Sequence, residues 1–303
     1  MCIRDRSLLI GGRFDKHNLV DHVIFSPRAN IRFNPSEAVN LRVSYAGGYR
    51  APQAFDEDMH IAVVGGKRVR IRLADDLKEE RSHSVSLSAD LYHNFGRVQT
   101  NLLVEGFYTI LDDVFALRDL EDTDDGGKIK ERYNGSGAAV RGFNVEGRAI
   151  FTRWFELQAG VTLQQSRYKE PEQWSEDADV PPVRRMFRTP DAYGYFTASF
   201  KPVRNFTADL TGTCTGSMLV QHMAGSGVAQ DAAVLTPSFF DMNVRLSYDL
   251  RIYKEITLQL YGGVQNLFNA YQKDFDKGAD RDSGYIYGCL LYTSPSPRDR
   301  TRS

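Results

Sequence analysis

Cysteine, an excess of positive charge and long apolar runs are all scarce here, and each shortage removes a class of protein. Only three cysteines occur in 303 residues. Cys2 and Cys289 lie in terminal segments set apart below, so Cys214 stands alone and an internal disulfide framework is ruled out. The formal net charge is −1 and the pI is near 6.6, so the basic footprint needed to hold nucleic acid is missing. No apolar run reaches the length of about 18 residues that a transmembrane helix requires. A membrane-crossing strand survives that test, because its hydropathy averages over two faces. The chain opens without a cationic and then apolar leader, so an exported protein would have to have lost its true N-terminus. No nucleophile with a positioned base, no glycine loop for phosphate and no Cys/His metal spacing appears. Neither an enzyme nor a resident cofactor or metal is expected.

What the sequence does have is alternation with a period of two. In 155–165 the apolar side chains are Phe155, Leu157, Ala159, Val161 and Leu163, against Glu156, Gln158, Thr162 and Gln164. Successive side chains of a strand leave opposite faces, so one face is apolar and the other wet. The pattern returns at 206–215 and at 241–250, where Met242, Val244, Leu246, Tyr248 and Leu250 oppose Asp241, Asn243, Arg245, Ser247 and Asp249. About eleven such half-buried strands follow one another, which predicts an all-β antiparallel meander.

The connections alternate as well. Short turns follow every second strand and long polar loops follow the others, as at 48–80, 118–137, 166–191 and 216–237. A soluble sandwich has no reason to sort loop lengths by end, whereas outer-membrane barrels have short periplasmic turns and long extracellular loops. Aromatics flank the short turns: Tyr92 and Phe95, Phe151 with Trp154 and Phe155, Phe200 and Phe206, Tyr248 and Tyr253. Rings of this kind favour the headgroup level of a bilayer. A ten-residue strand tilted near 45° spans about 23 Å, close to the apolar band of such barrels. Glu105, Glu146, Arg148, Asp209 and Arg245 then line a lumen, while Arg141 falls on the apolar face near the long-loop end.

Both ends break the pattern. Residues 1–7 and 289–303 each carry Arg-Asp-Arg, the latter after a Ser/Pro-rich run, and both resemble translated sequencing-adapter read-through. They are excluded from the fold, which leaves 8–288 as a barrel fragment.

Three short motifs carry a resemblance. Gly48-Tyr49-Arg50-Ala51-Pro52 stands where a strand passes into a long loop, Val264-Gln265-Asn266-Leu267-Phe268-Asn269 follows the last alternating strand, and Gly284-Tyr285-Ile286-Tyr287-Gly288 comes after. Together they resemble the TonB-dependent outer-membrane receptors, over about 8–288. The resemblance implies the C-terminal part of a transmembrane β-barrel, with about eleven of some twenty-two strands present and the plug domain absent. It further implies a ligand-gated active importer of a ferric siderophore, haem, cobalamin, a glycan or a similar large nutrient, in the outer membrane of a Gram-negative bacterium. Its partners would be outer-membrane lipid, the nutrient ligand and a TonB-type energy-coupling protein that acts through an N-terminal region.

By position in the loops, Tyr49, Arg50, Tyr168, Arg188, Tyr193, Tyr271 and Phe275 are the candidate ligand contacts, since phenols and guanidiniums stack on and charge-pair with such ligands. Gly48, Ala51, Pro52, Asn266, Leu267 and Phe268 are the structural part of the motifs. His222-Met223 is a weaker candidate for haem iron. The acidic run 119–127 and Asp274, Asp276, Asp280 and Asp282 are candidates for Ca²⁺, although the twelve-residue spacing of a calcium loop is missing. The competing classes are a passive porin or adhesin barrel, and a soluble β-rich binding domain whose apolar faces would meet in a core.

Overall fold

Alternation at this density leaves each long strand with one face that water rejects, and the chain satisfies its backbone by pairing each long strand with the next long strand along the sequence. The computed structural model describes residues 5–52, 69–122, 128–175, 177–225, 228–254, 256–275 and 285. The remaining terminal residues, the centre of the acidic run, Asp276, Asp280, Asp282, and Gly284, Ile286, Tyr287 and Gly288 of the third motif lie outside the described residues.

The first strands are β1 (Arg6–Asp15), β2 (Ile24–Ser36), β3 (Val39–Arg50), β4 (Val69–Leu73), β5 (Glu80–Phe95) and β6 (Val98–Asp112). Next come β7 (Phe115–Asp122), β8 (Lys128–Asn134), β9 (Ala138–Thr152), β10 (Phe155–Glu172) and β11 (Val183–Arg185). The last are β12 (Ala192–Val203), β13 (Phe206–Thr215), β14 (Leu219–His222), β15 (Ala232–Leu235), β16 (Phe239–Tyr253) and β17 (Ile256–Val264).

One twelve-stranded sheet contains the long strands in the order β1-β2-β3-β5-β6-β9-β10-β12-β13-β16-β17, with β11 added at the side of β10. Its ladders are antiparallel throughout. Five connections, after β2, β5, β9, β12 and β16, are two-residue turns at one end of the sheet. Two-residue hairpins favour a positive φ, and Gly96 supplies it with φ of 63°.

The long connections gather at the other end, and here the structure departs from the sequence expectation. Where featureless loops are predicted, β7 and β8 form a hairpin, β14 and β15 form another, and β10 runs on to Glu172. In addition, β4 from one loop pairs parallel to β8 from the next, Val69 opposite Lys128 through Leu73 opposite Arg132. Period-two signals in strands this short are too brief to separate from loop composition. At the N-terminal side β1 begins at Arg6, inside the stretch that the sequence sets apart.

Register shows that the apolar faces of all the long strands coincide. One row runs Leu8–Ile31–Val43–Leu87–Gly106–Phe143–Leu163–Ala192, and another runs Phe33–Leu41–Ala89–Val104–Val145–Val161–Gly194–Cys214–Phe240. A one-residue slip anywhere would turn every following side chain to the wrong face. This face meets no second sheet among the described residues: Leu87 is 60% exposed, Phe143 65% and Leu163 55%. Such a continuous uncovered patch is incompatible with a soluble β-rich domain and suits lipid.

The opposite face is polar and internally bonded. Asn144 Nδ2 donates to Glu105 Oε2 at 3.2 Å and Thr162 Oγ1 to Asn144 Oδ1 at 2.7 Å, while Gln158 Nε2 serves Glu146 and the Tyr195 hydroxyl. Arg148 pairs with Glu156 at 2.6 Å and Ser199 donates to Asp209 at 2.6 Å. Most of the ring set holds its place near the short turns, with Phe155 stacked on Phe151 and Phe200 at 5.2 and 4.7 Å. Tyr92 is a correction: it shares the polar face with Asp90 and donates its hydroxyl to that carboxylate at 2.8 Å, so it does not belong to the outward girdle.

Candidate ligand-facing loop end

The long loops fold into a cap with its own core, and the motif residues are where they join it. At the end of β3, a Cβ on Gly48 would meet Ser82 Oγ at 2.7 Å, so a larger residue there would push the Ser82 hydroxyl aside. Tyr49 pairs in register with Arg81 and is half-buried. Arg50 Nη2 reaches Glu80 Oε2 at 2.9 Å, and its guanidinium lies 4.8 Å from the Phe115 ring centre. Arg132, 1% exposed, approaches the same ring at 5.9 Å, and Glu80 also accepts the Phe115 backbone N–H at 3.2 Å. Arg50 thus ties the β3–β5 loop to the β6–β9 loop. Pro52 is buried and Ala51 half-buried behind it.

Asn134 makes a second tie. Its side chain accepts the Lys78 N–H at 2.8 Å and donates to the carbonyls of Lys78 and Asp113 at 3.1 and 2.8 Å. A third tie is a buried acid: Glu79, 3% exposed, accepts from Arg81 at 2.6 Å and contacts His22 Nε2 at 3.0 Å, drawing in the β1–β2 loop. Burial works against the Glu79 charge, but hydrogen bonds from Arg81, the backbone and His22 outweigh it and hold the carboxyl below its ordinary range.

Around the middle strands the cap presents phenols. Tyr168 is opposite Ala138 on β9, and Tyr193 is opposite Thr162 and Thr215 on the lumen face. Glu172, at the outer tip of β10, has its carboxyl raised by burial. Burial, and then the Glu172 carboxylate, also raise the Tyr133 phenol. Arg188 is exposed with φ of 56°, and its backbone N–H donates to Leu219 O at 2.7 Å, joining the β10–β12 and β13–β16 loops.

The Asn-Leu-Phe motif closes a turn after β17. Asn266, with φ of 51°, donates to Ala270 O at 2.8 Å and accepts the Ala270 N–H at 2.6 Å, while its own N–H is taken by Asn243 Oδ1 at 2.8 Å. Leu267 N–H donates to Met242 O at 2.8 Å, and Phe268 lies 5.9 Å from Phe240. Tyr271 and Phe275 are exposed beyond this turn. His222 stacks on the buried Tyr285 with ring centres 4.1 Å apart. Among the described residues no group of three or more His, Cys, Asp or Glu side chains is arranged to hold a metal ion.

The seven candidate contacts therefore share an end of the sheet but not a pocket. Tyr49 and Arg50 are on the third strand of the order and Tyr271 follows the eleventh, eight spacings of about 4.8 Å or roughly 38 Å along the sheet. Tyr168 and Tyr193 lie between them on adjacent strands. Sequence reasoning misses Glu79, Phe115, Asn134, Glu172 and Tyr133, because their roles depend on contacts between loops far apart in the chain.

A single meander with an outward apolar face, an inward polar face, two-residue turns at one end and structured loops at the other matches a known family. The family described as "TonB dependent receptor-like, beta-barrel" matches residues 7–267. The chain belongs to this TonB-dependent receptor family. No curated protein matches it. Among solved structures, the G324V variant of the ferric enterobactin receptor PfeA from Pseudomonas aeruginosa superposes with a TM-score of 0.65 at 19% identity, covering 94% of this chain and 40% of that one. The siderophore receptor PirA from Acinetobacter baumannii gives 0.61 at 17%, covering 92% and 41%. The ferric-catecholate import receptor Fiu from Escherichia coli K12 gives 0.55 at 17%, covering 88% and 33%. The chain thus spans about two-fifths or less of the length of these receptors. At these identities the likeness concerns the fold. TonB-dependent receptors are outer-membrane β-barrels of Gram-negative bacteria, and this sheet is part of such a barrel.

Proposed function

We propose that this chain forms the C-terminal portion of the barrel of an active importer of a ferric siderophore. The observation that carries the reading is the pair of phenols Tyr168 and Tyr193 on the lumen side of adjacent strands, with Arg188, Tyr271 and Phe275 exposed at the loop end, on a barrel whose solved structural neighbours are named as ferric enterobactin, siderophore and ferric-catecholate receptors. A ferric catecholate is an anionic complex whose individual catecholate rings are planar, and aromatic stacking on those rings with guanidinium charge suits it. Cobalamin, haem or a glycan would use the same rim through different contacts. Energy would come from a TonB-type coupling protein acting on a plug enclosed by the barrel, while the wall described above stays rigid. Residues 1–7 and 289–303 would not belong to the working protein.

The test is to recover the intact gene from the source DNA, express it in a strain that lacks its own catecholate receptors, and follow uptake of radiolabelled iron. Uptake of ferric catecholate that stops when the coupling protein is deleted supports the reading. Cobalamin-dependent growth in place of iron uptake would move the substrate class. Solute entry that ignores the coupling protein would favour a passive porin.

A further inference from the structure

We propose that the outward face of β6, β9 and β10 holds a phosphate-bearing anionic membrane lipid, at a site separate from the ligand path. In this part of the wall the apolar row is interrupted by Gly106, which lies between Leu87 and Phe143 in register. A Cβ there would touch the Phe143 ring at 3.4 Å. Around it lies a shallow, open furrow of about 590 Å³, walled by Val85, Leu87, Tyr108, Phe143 and Leu163, and its lining is almost wholly hydrocarbon.

The loop-side edge of the furrow is cationic. Arg141 and Gln165 sit there, directly opposite one another, and Arg167 is the diagonal neighbour of Arg141 on the same face. Arg141 donates through Nε and Nη2 to Gln165 Oε1 at 3.2 and 2.8 Å. An amide orients the guanidinium but cannot neutralise it. Arg167 is exposed, stands opposite Arg185 of β11 and makes no ion pair among the described residues. Asp191 also borders the furrow, but its carboxylate is engaged by Arg185 at 3.1 Å. By contrast Arg148, on the lumen face, is neutralised by Glu156.

Two uncompensated guanidiniums above a hydrocarbon furrow, at the level where the wall leaves the apolar band, match the two ends of an anionic lipid. The acyl chain takes the furrow and the phosphate takes Arg141 and Arg167. A basic side chain near a membrane surface contributes about 1 kcal/mol toward an anionic headgroup, or roughly a fivefold preference each. The inference rests on membrane placement and not on the identity of the imported ligand.

The experiment folds the full chain in detergent, exchanges it into vesicles of equal parts phosphatidylglycerol and phosphatidylcholine, and reads retained lipid by native mass spectrometry. The expected result is a clear preference for phosphatidylglycerol, which the R141Q/R167Q double variant loses while its fold, followed by circular dichroism, is unchanged. Gly106→Leu should fill the furrow and reduce retention of both lipids, leaving their ratio nearer that of the parent. Equal retention of the two lipids by the parent chain overturns the proposal, as does a double variant that keeps the preference. Undiminished retention by Gly106→Leu overturns the acyl half of it.

Discussion

The wall and the cap of this protein solve the burial problem in opposite ways. In the wall, side chains such as Leu87, Phe143 and Leu163 stay open on one face of the sheet, and among the described residues no protein core covers them. In the cap, Glu79, Arg132, Val220, Gln272 and Tyr285 are buried, and polar groups are closed off by partners such as the Arg81–Glu79 pair. The wall relies on lipid for its apolar contacts, while the cap builds a small core as a water-soluble protein does. Backbone pairing unites them, because every strand edge inside a membrane has to be satisfied. A change of solvent should therefore disturb one region and spare the other.

The largest effect should come from breaking the wall. Val161→Arg places a charge in the middle of the apolar row and should destabilise the folded protein by about 2–4 kcal/mol, read from urea unfolding in phospholipid vesicles. Val161→Gln should cost less than Val161→Arg in the same vesicles, and an equal loss from the two would mean that the charge is not what the outward face rejects.

Breaking the cap should cost less and stay local. Glu79→Leu removes the acid that joins Arg81 and His22, at a cost of about 1–3 kcal/mol. Hydrogen exchange should rise across 16–23 and 74–81 and remain unchanged in β9 and β10. Glu79 also sets a pH dependence. Its folded-state pKa is depressed, so its stabilisation is complete above the ordinary carboxylate range and is lost as pH falls through the lower folded value. Acid should loosen the cap before the wall, and Glu79→Gln should remove that step; a cap that opens at the same pH in the variant would assign the step elsewhere.

At the seam between the two regions, Asn266→Ala loses the paired bonds to Ala270 and forces a side chain without an amide into positive φ, for about 1–2 kcal/mol. Asn266→Gly should recover the backbone part only. The smallest effect belongs to Arg148→Gln on the lumen face, where the partner pair is solvent-exposed and about 0–1 kcal/mol is expected, declining further with salt.

Most of the wall was legible in the residues. The alternation at 155–165 assigns every side chain to a face, and register with Val145 and Gly194 confirms those assignments. Arg141 was placed on the apolar face by parity alone, and it is there, although only register adds Arg167 beside it. Tyr92 stands beside a turn, yet parity puts it on the polar face with Asp90, where its hydroxyl is bonded. The motif residues were legible as landmarks, not as contacts. Arg50 was a candidate for ligand, yet its guanidinium is engaged with Glu80 and Phe115. Nothing local in 113–137 announces that β8 will pair parallel to β4, since that ladder joins residues almost sixty positions apart.

Sequence by itself determined which side chains meet lipid and which meet water, because a strand has only two faces and a period of two assigns them without knowledge of any neighbour. Tertiary structure alone decided what the loops become. Buried acids, ring-stacked guanidiniums and the furrow beside Gly106 arise from contacts between distant segments, and no local pattern encodes which distant partner will remove a group from water.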